Sequence, residues 1–232
     1  MQKIGVVTGA SQKIGLEICR QLANRGVKVI LTTRNEERGK EAALKLQNEG
    51  LDVVFHILDV TDEESIRKLA EWLEQTFGKL DILVNNAGMS DRGPSALQHD
   101  LDKIRETMET NAYGPLRLCK ALVPIMLKAD SGRIVNVSSR AGLLSRIRER
   151  KVKNNPGYRM SKAAQNVATV LLANELLDTN ITVNGMTPGW VQTGTNAPGE
   201  ISVEEGADTA VWLATEGTMT GKLFADRKET DL

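Results

Sequence analysis

Tyr158 and Lys162 stand four residues apart, at the head of a run whose apolar residues recur at helical spacing: Met160, Ala163, Ala164, Val167, Ala168, Leu171 and Leu172. On a helix, positions i and i+4 share one face, so a phenol and an ammonium would project side by side into whatever that face lines. A tyrosine titrates near pH 10 in water, and a neighbouring cation favours its phenolate. Lowering that value by two or three units takes about 3–4 kcal/mol, at about 1.4 kcal/mol per unit. The product would be a general acid suited to neutral pH. A Tyr four residues before a Lys is also an ordinary exposed pair on many helices, so its chemistry depends on the elements that would place it in a cleft.

Those elements are legible as an alternation of short apolar runs with amphipathic segments. Strands are expected at Lys3–Thr8, Val27–Thr32, Asp52–Leu58, Leu80–Asn85, Gly132–Ser138 and Ile181–Met186. Helices are expected at Ile14–Arg25, Glu36–Glu49, Glu63–Phe77, Leu101–Lys128, Tyr158–Leu177 and Val203–Ala214. Continuous β-branched strands alternating with helices imply a parallel sheet covered on both faces. Right-handed crossovers then give an α/β, doubly wound Rossmann-type layer sandwich. No Pro/Ser/Gly-rich linker or internal repeat interrupts it, so residues 1–232 read as one domain.

The totals narrow the function classes. Thirty basic residues balance thirty acidic ones, so no overall charge points to nucleic acid or to a membrane surface. No apolar run approaches a membrane span, and Ile4-Gly-Val6-Val7 is too short for a signal-peptide core. Cys19 and Cys119 lack C-x-x-C spacing and read as reduced thiols of a cytoplasmic protein. His56 and His99 have no sequence cluster of Cys or carboxylate around them, so no metal site is expected.

The first strand ends in Thr8-Gly-Ala-Ser-Gln-Lys-Ile-Gly15 and leads into a helix. Such a turn presents free N–H groups and a positive dipole end to a pyrophosphate. Gly9 permits the tight turn, and Gly15 permits close packing of helix on strand. After the second strand come Thr33 and Arg34, with no acid before Glu36. An acid there would grip a ribose 2′-hydroxyl, whereas an arginine accommodates a 2′-phosphate, so a bound dinucleotide would be NADP(H). The other role open to Arg34 is to neutralise Glu36 or Glu37. Asp59 ends the third strand at the sheet edge where ligands bind, followed by Thr61 or Asp62 as a helix cap. Asn85-Asn86-Ala87-Gly88 ends the fourth strand with small and polar residues suited to close backbone approach.

With those residues in place, the sequence resembles the short-chain dehydrogenase/reductase superfamily. Ordered blocks carry the resemblance: TGASQKIG at 8–15, NNAG at 85–88, IVNVSS at 134–139, YRMSK at 158–162 and PGWVQT at 188–193. The tail Gly185–Lys228 is similar to NADPH-dependent carbonyl reductases. The resemblance implies a catalytic tetrad: Tyr158 as general acid, Lys162 holding the nicotinamide ribose and depressing the Tyr158 pKa, Ser139 placing the carbonyl, and Asn111 supporting a water relay behind Lys162. Ser138 would be structural. It implies Gly9, Ser11, Gln12, Ile14 and Gly15 around the phosphates, with Lys13 in the place of the family's middle glycine. Arg34 would meet the 2′-phosphate, Asp59 and Val60 the adenine, and Asn86, Ala87 and Gly88 the adenosine ribose side. Pro188, Gly189, Val191 and Thr193 would meet the nicotinamide, Thr193 at its carboxamide.

Two departures from the family pattern stand out. Lys13 either crowds the pyrophosphate and strains the turn or adds a cation beside the phosphates. The insert Arg140–Gly157 holds Arg140, Arg146, Arg148, Arg150, Lys151 and Lys153 against the single acid Glu149, as a solvated loop or short helix, or as a basic rim for anionic substrates or partners. A longer insertion here blocks the superfamily's usual helix-face dimer in the similar carbonyl reductases, so monomer and homo-oligomer both stay open. The expected function is NADP(H)-dependent reduction of a small-molecule ketone or aldehyde. The alternatives are a non-catalytic NADP(H)-binding or sensing protein and an NAD-linked alcohol dehydrogenase. Substrate choice is expected to rest on Met89–Ser95, the basic insert and a mobile lid at Trp190–Glu200.

Overall fold

β-Branched runs form the strands β1 (Ile4–Val7), β2 (Lys28–Thr33), β3 (Val53–Ile57), β4 (Ile82–Asn85), β5 (Gly132–Val137) and β6 (Ile181–Met186). In the computed structural model, which describes residues 1–91, 93–149, 155–192 and 199–230, they make a parallel sheet. Its full order is β3-β2-β1-β4-β5-β6-β7-β8. β7 (Leu223–Ala225) joins β6 in parallel, and β8 (Lys228–Thr230) returns antiparallel to β7. Chain order reverses between β1 and β4, which opens a crevice at the carboxyl ends of the strands. This is the doubly wound architecture expected from the alternation of strands and helices.

The helices are α1 (Lys13–Asn24), α2 (Glu36–Asn48), α3 (Glu63–Phe77), α4 (Leu101–Met108), α5 (Gly114–Met126), α6 (Leu144–Ile147), α7 (Pro156–Glu175) and α8 (Val203–Thr215). Two apolar cores flank the sheet. Ile18 and Leu22 of α1, Leu46 of α2 and Leu213 of α8 pack with Val7, Val29 and Leu31 on one face. Leu69 and Leu73 of α3 and Leu118 and Leu122 of α5 pack with Val6, Ile30 and Leu83 on the other. Val6 and Val7 enter opposite cores because successive strand residues point to opposite faces. Helix starts are placed by side-chain caps: Asn35 Oδ1 on the Arg38 N–H (2.9 Å), Asp62 Oδ1 on the Glu64 N–H (3.0 Å), and a Ser202–Glu205 capping box. Asp62 rather than Thr61 therefore caps α3.

Two features depart from the sequence reading. The helix expected over Leu101–Lys128 is interrupted by a π-helical turn, Glu109–Tyr113, where the Gly114 N–H bonds the Glu109 carbonyl five residues back. Pro115 has no N–H to return to the Asn111 carbonyl, so regular α-helical bonding cannot run through this point. The strands β7 and β8 were not expected, because three-residue strands carry almost no periodicity. Among the described residues, no helix is long and apolar enough to cross a membrane.

Candidate active site

The turn from β1 into α1 and the ends of β2, β3 and β4 wall a cleft of about 850 Å³. Gly9, Ser11, Gln12, Lys13, Ile14, Gly15, Arg34, Asp59, Val60, Asn86, Ala87 and Gly88 all line it, so the sequence-predicted positions of this half converge on one space. Gly9 has φ +62, and a Cβ on it would lie 2.7 Å from the Ala87 Cα; a Cβ on Gly15 would lie 2.9 Å from both the Ala10 Cα and the Gly9 carbonyl oxygen. Neither position accepts a side chain. Asn86 ties this turn to β4, its Nδ2 donating to the carbonyls of Thr8 (2.8 Å) and Gly9 (3.1 Å). The side chain of Asp59 accepts from the Thr61 N–H (2.9 Å) and hydroxyl (2.7 Å), which shapes the loop after β3.

Lys13 carries a positive φ of 54. A residue with a Cβ is strained there by about 1–2 kcal/mol, the backbone strain that is one side of the alternative drawn for this position. Arg34 is exposed and makes no ion pair among the described residues, while Glu36 pairs with Lys40 instead (2.7 Å). Met89, expected on the substrate side, lines the cleft too, and so does Arg38, which was not foreseen. The signal for Arg38 was available, one helical turn beyond Arg34.

The second half of the site lies at the end of β5 and the start of α7. Ser138 turns inward and donates to Asn166 Oδ1 (2.5 Å). Ser139, extended at φ −157, caps a 3-10 turn at Arg140–Gly142 and shares a hydrogen bond with the Tyr158 hydroxyl. Gly142 presses on α7 so closely that a Cβ would lie 2.6 Å from the Ala163 nitrogen. Lys162, only 4% exposed, donates from Nζ to the Val137 carbonyl (2.7 Å) and to Gln165 Oε1 (3.0 Å). Gly88 joins the halves: a Cβ on it would lie 3.9 Å from Lys162 Nζ. Asn111 is fully buried in the π-helical turn. Its Nδ2 donates to the Met89 carbonyl (2.8 Å) and Ser161 Oγ (3.0 Å), and its Oδ1 accepts the Met89 N–H (2.8 Å).

The electrostatics of this corner differ from the sequence expectation. Burial pushes the Tyr158 phenol above its usual range, and the hydrogen bond with Ser139 opposes that rise. Burial also pulls Lys162 down to about 7. Lys162 Nζ lies 5.9 Å from the Tyr158 ring centroid and gives its hydrogen bonds to two neutral acceptors, so burial is the dominant influence on the phenol.

A third group was missed. Asn155 offers no side-chain cap to α7. Instead Asp91, from the segment after β4, accepts the N–H of Gly157 at Oδ2 (2.8 Å) and that of Tyr158 at Oδ1 (2.7 Å). His99 Nε2 donates to the same Oδ2 (2.6 Å), and both side chains are almost wholly buried. A carboxylate beside His99 therefore exists, eight residues away in sequence but brought close by the loop. Among the described residues no three His, Cys, Asp or Glu side chains gather as a metal-binding group.

Pro188, Gly189 and Val191 follow β6 and do not line the 850 Å³ cleft; Val191 is buried and bridges to Ile201. Thr193, the rest of the expected lid from 193 to 198, and positions 150–154 of the basic insert lie outside the described residues. In the described part of the insert, Arg146 pairs with Glu149 (2.8 Å).

Comparison with known proteins adds independent findings. The family model for short chain dehydrogenase matches residues 3–201. The chain is 35% identical to (+)-neomenthol dehydrogenase of Arabidopsis thaliana, over 99% of this chain and 98% of that protein. It is 34% identical to the NADPH carbonyl reductase 3 of Mus musculus, over 91% of this chain and 90% of that one. The fold superposes on L-sorbose reductase from Gluconobacter frateurii, complexed with NADPH and L-sorbose, with a TM-score of 0.86 and 27% identity, covering 96% of this chain and 94% of that chain.

Two stability changes follow from this geometry. Lys13→Gly is expected to raise the unfolding free energy by about 1 kcal/mol in denaturant titration, by relieving the positive φ; no gain would mean that Lys13 contacts offset the strain. Asp91→Ala removes the cap from two helix N–H groups and the partner from buried His99, with an expected loss of about 2–4 kcal/mol. Asp91→Asn, which keeps an acceptor, should lose clearly less.

Proposed function

The chain belongs to the short-chain dehydrogenase family, and from that premise we propose that it is an NADP(H)-dependent reductase of a small-molecule ketone or aldehyde, with Tyr158 as the general acid. The observation that carries this reading is the meeting of the Ser139 and Tyr158 hydroxyls beside Lys162, where Gly88 links them to the glycine-walled cleft. The cleft suits a dinucleotide: side chains are excluded at Gly9 and Gly15, so backbone N–H groups at the start of α1 can approach a pyrophosphate. Arg34, which makes no ion pair among the described residues, and Arg38 four residues on supply cations where a 2′-phosphate would sit. NADPH in the mouse relative's name and in the sorbose reductase complex supports the same cofactor.

Bound NADPH would supply the hydride; the chain supplies placement and the proton. Ser139 hydrogen-bonds the substrate oxygen, and Tyr158 transfers its phenolic proton to it. The raised pKa of Tyr158 keeps the phenol protonated at neutral pH, the form that reduction requires. Lys162 holds the ribose side of the cofactor at the inner edge of the cleft. Because burial sets Lys162 at about 7, its ammonium is lost as pH rises through that value, and reductase activity should fall on the alkaline side.

The test is a titration with NADPH and NADH followed by turnover of a carbonyl panel. NADPH should bind more tightly, and Arg34→Ala should weaken NADPH by roughly 10–100-fold while sparing NADH. Tyr158→Phe should lower kcat by about 10²–10⁴-fold with NADPH affinity kept. NADPH binding with no Tyr158-dependent turnover on any substrate would instead identify a cofactor-binding protein without catalysis. Lys13→Gly should tighten NADPH, since it removes a strained side chain from the phosphate turn; weaker binding would assign Lys13 to the phosphates as a cation.

A further inference from the structure

Behind the proposed catalytic corner lies a polar residue to which neither the family resemblance nor the relatives assign a role. Gln165 stands one helical turn after Lys162 on α7 and is fully buried. Its Oε1 accepts from Lys162 Nζ at 3.0 Å, and the Val137 carbonyl takes a second N–H at 2.7 Å. An ammonium has only donors, so the amide must turn its oxygen to Lys162. That orientation leaves Gln165 Nε2 without a partner among the described residues. A buried unpartnered donor lowers stability, and a leucine of similar size would avoid that loss. The amide is thus retained at a cost to the fold, and what it contributes is an acceptor for Lys162.

We propose that Gln165 is a positioning residue for Lys162: its amide oxygen holds the ammonium at the inner edge of the cleft, in cationic form, before the cofactor arrives. The inference rests on the proposed role of Lys162. The groups facing this ammonium are few. Tyr158 lies on the same helix, with its ring centroid 5.9 Å away. Gly88 approaches from the segment after β4, Asn111 from the π-helical turn, and β5 offers the Val137 carbonyl. No described carboxylate pairs with Lys162, and burial alone accounts for its lowered pKa. With no countercharge present, one neutral acceptor is a large part of what opposes deprotonation. The backbone around Gln165 is held independently: Thr169 Oγ1 donates to the Gln165 carbonyl (2.8 Å) and accepts from Asn136 Nδ2 (2.8 Å). Changing the side chain therefore leaves that turn of α7 supported.

The test uses the full-length, cofactor-free protein with 13Cε-labelled lysine, the Lys162 signal being identified by its loss in Lys162→Met. In an NMR titration, Gln165→Leu and the volume-conserving Gln165→Met should each move the Lys162 midpoint down by about one pH unit, the effect of losing one hydrogen bond to a charged group. Gln165→Glu should move it up, because a carboxylate favours the ammonium. The alkaline limb of kcat/KM for NADPH, which reports the free enzyme, should follow in the same directions. A merely structural residue would not shift the midpoint in opposite directions with acceptor charge. Unchanged midpoints in the Leu and Met variants, or a downward shift with Glu, would overturn the proposal. The titration needs neither cofactor nor turnover, so a wild-type protein without reductase activity would overturn the proposed function and leave this test standing.

Discussion

Burying an ammonium is the constraint around which the active corner is built. Lys162 lies at the junction of β5 and α7 with no described carboxylate beside it, so neutral acceptors must replace water. The Val137 carbonyl is available because β5 ends there, and Gln165 supplies the rest from the next turn of α7. Around them the core becomes polar: Asn85 donates to Asn136, and Asn136 to Thr169. These amides cross from β4 to β5 to α7 and fix the register of the helix on the sheet. An apolar core could pack as densely, but it would offer Lys162 no acceptors.

The same logic explains how the segment after β4 governs both halves of the site. Asn111 holds the Met89 backbone by both its N–H and its carbonyl, and the π-helical turn points Asn111 inward to do so. Two residues later Asp91 caps the first turn of α7 with both oxygens. One short stretch of chain therefore lines the cleft at Met89 and seats the helix start at Tyr158. His99, which bonds the same carboxylate, is buried with it. Movement of this segment would be felt at the cleft and at the phenol together.

Much of this was legible in the residues. The six long strands and most helix positions follow from periodicity and caps, because a doubly covered parallel sheet demands continuous apolar strands. The glycine turn was legible for the same kind of reason, since Gly9 and Gly15 have no other residue that fits. What failed to show were features with no local period. The short strand β7 and the remote cap from Asp91 depend on partners far along the chain, whereas the break at Pro115 is set locally by the missing N–H of the proline. The electrostatic expectation failed likewise: spacing places Tyr158 and Lys162 on one face, but only burial decides which way their proton affinities move.

The sequence by itself determined the covalent alphabet of the site: a phenol and an ammonium one turn apart, a hydroxyl at a strand end, and a glycine turn with an arginine one strand away. These are short-range facts, carried by helix and strand geometry. Only the tertiary structure decided that Lys162 gives its hydrogen bonds to Gln165 and the Val137 carbonyl, that Lys13 bends through a positive φ, and that Asp91 rather than Asn155 caps the start of α7. The physical reason is common to all three. Desolvation, backbone strain and capping depend on what the rest of the chain places within a few ångströms, and spacing along the sequence carries no record of it.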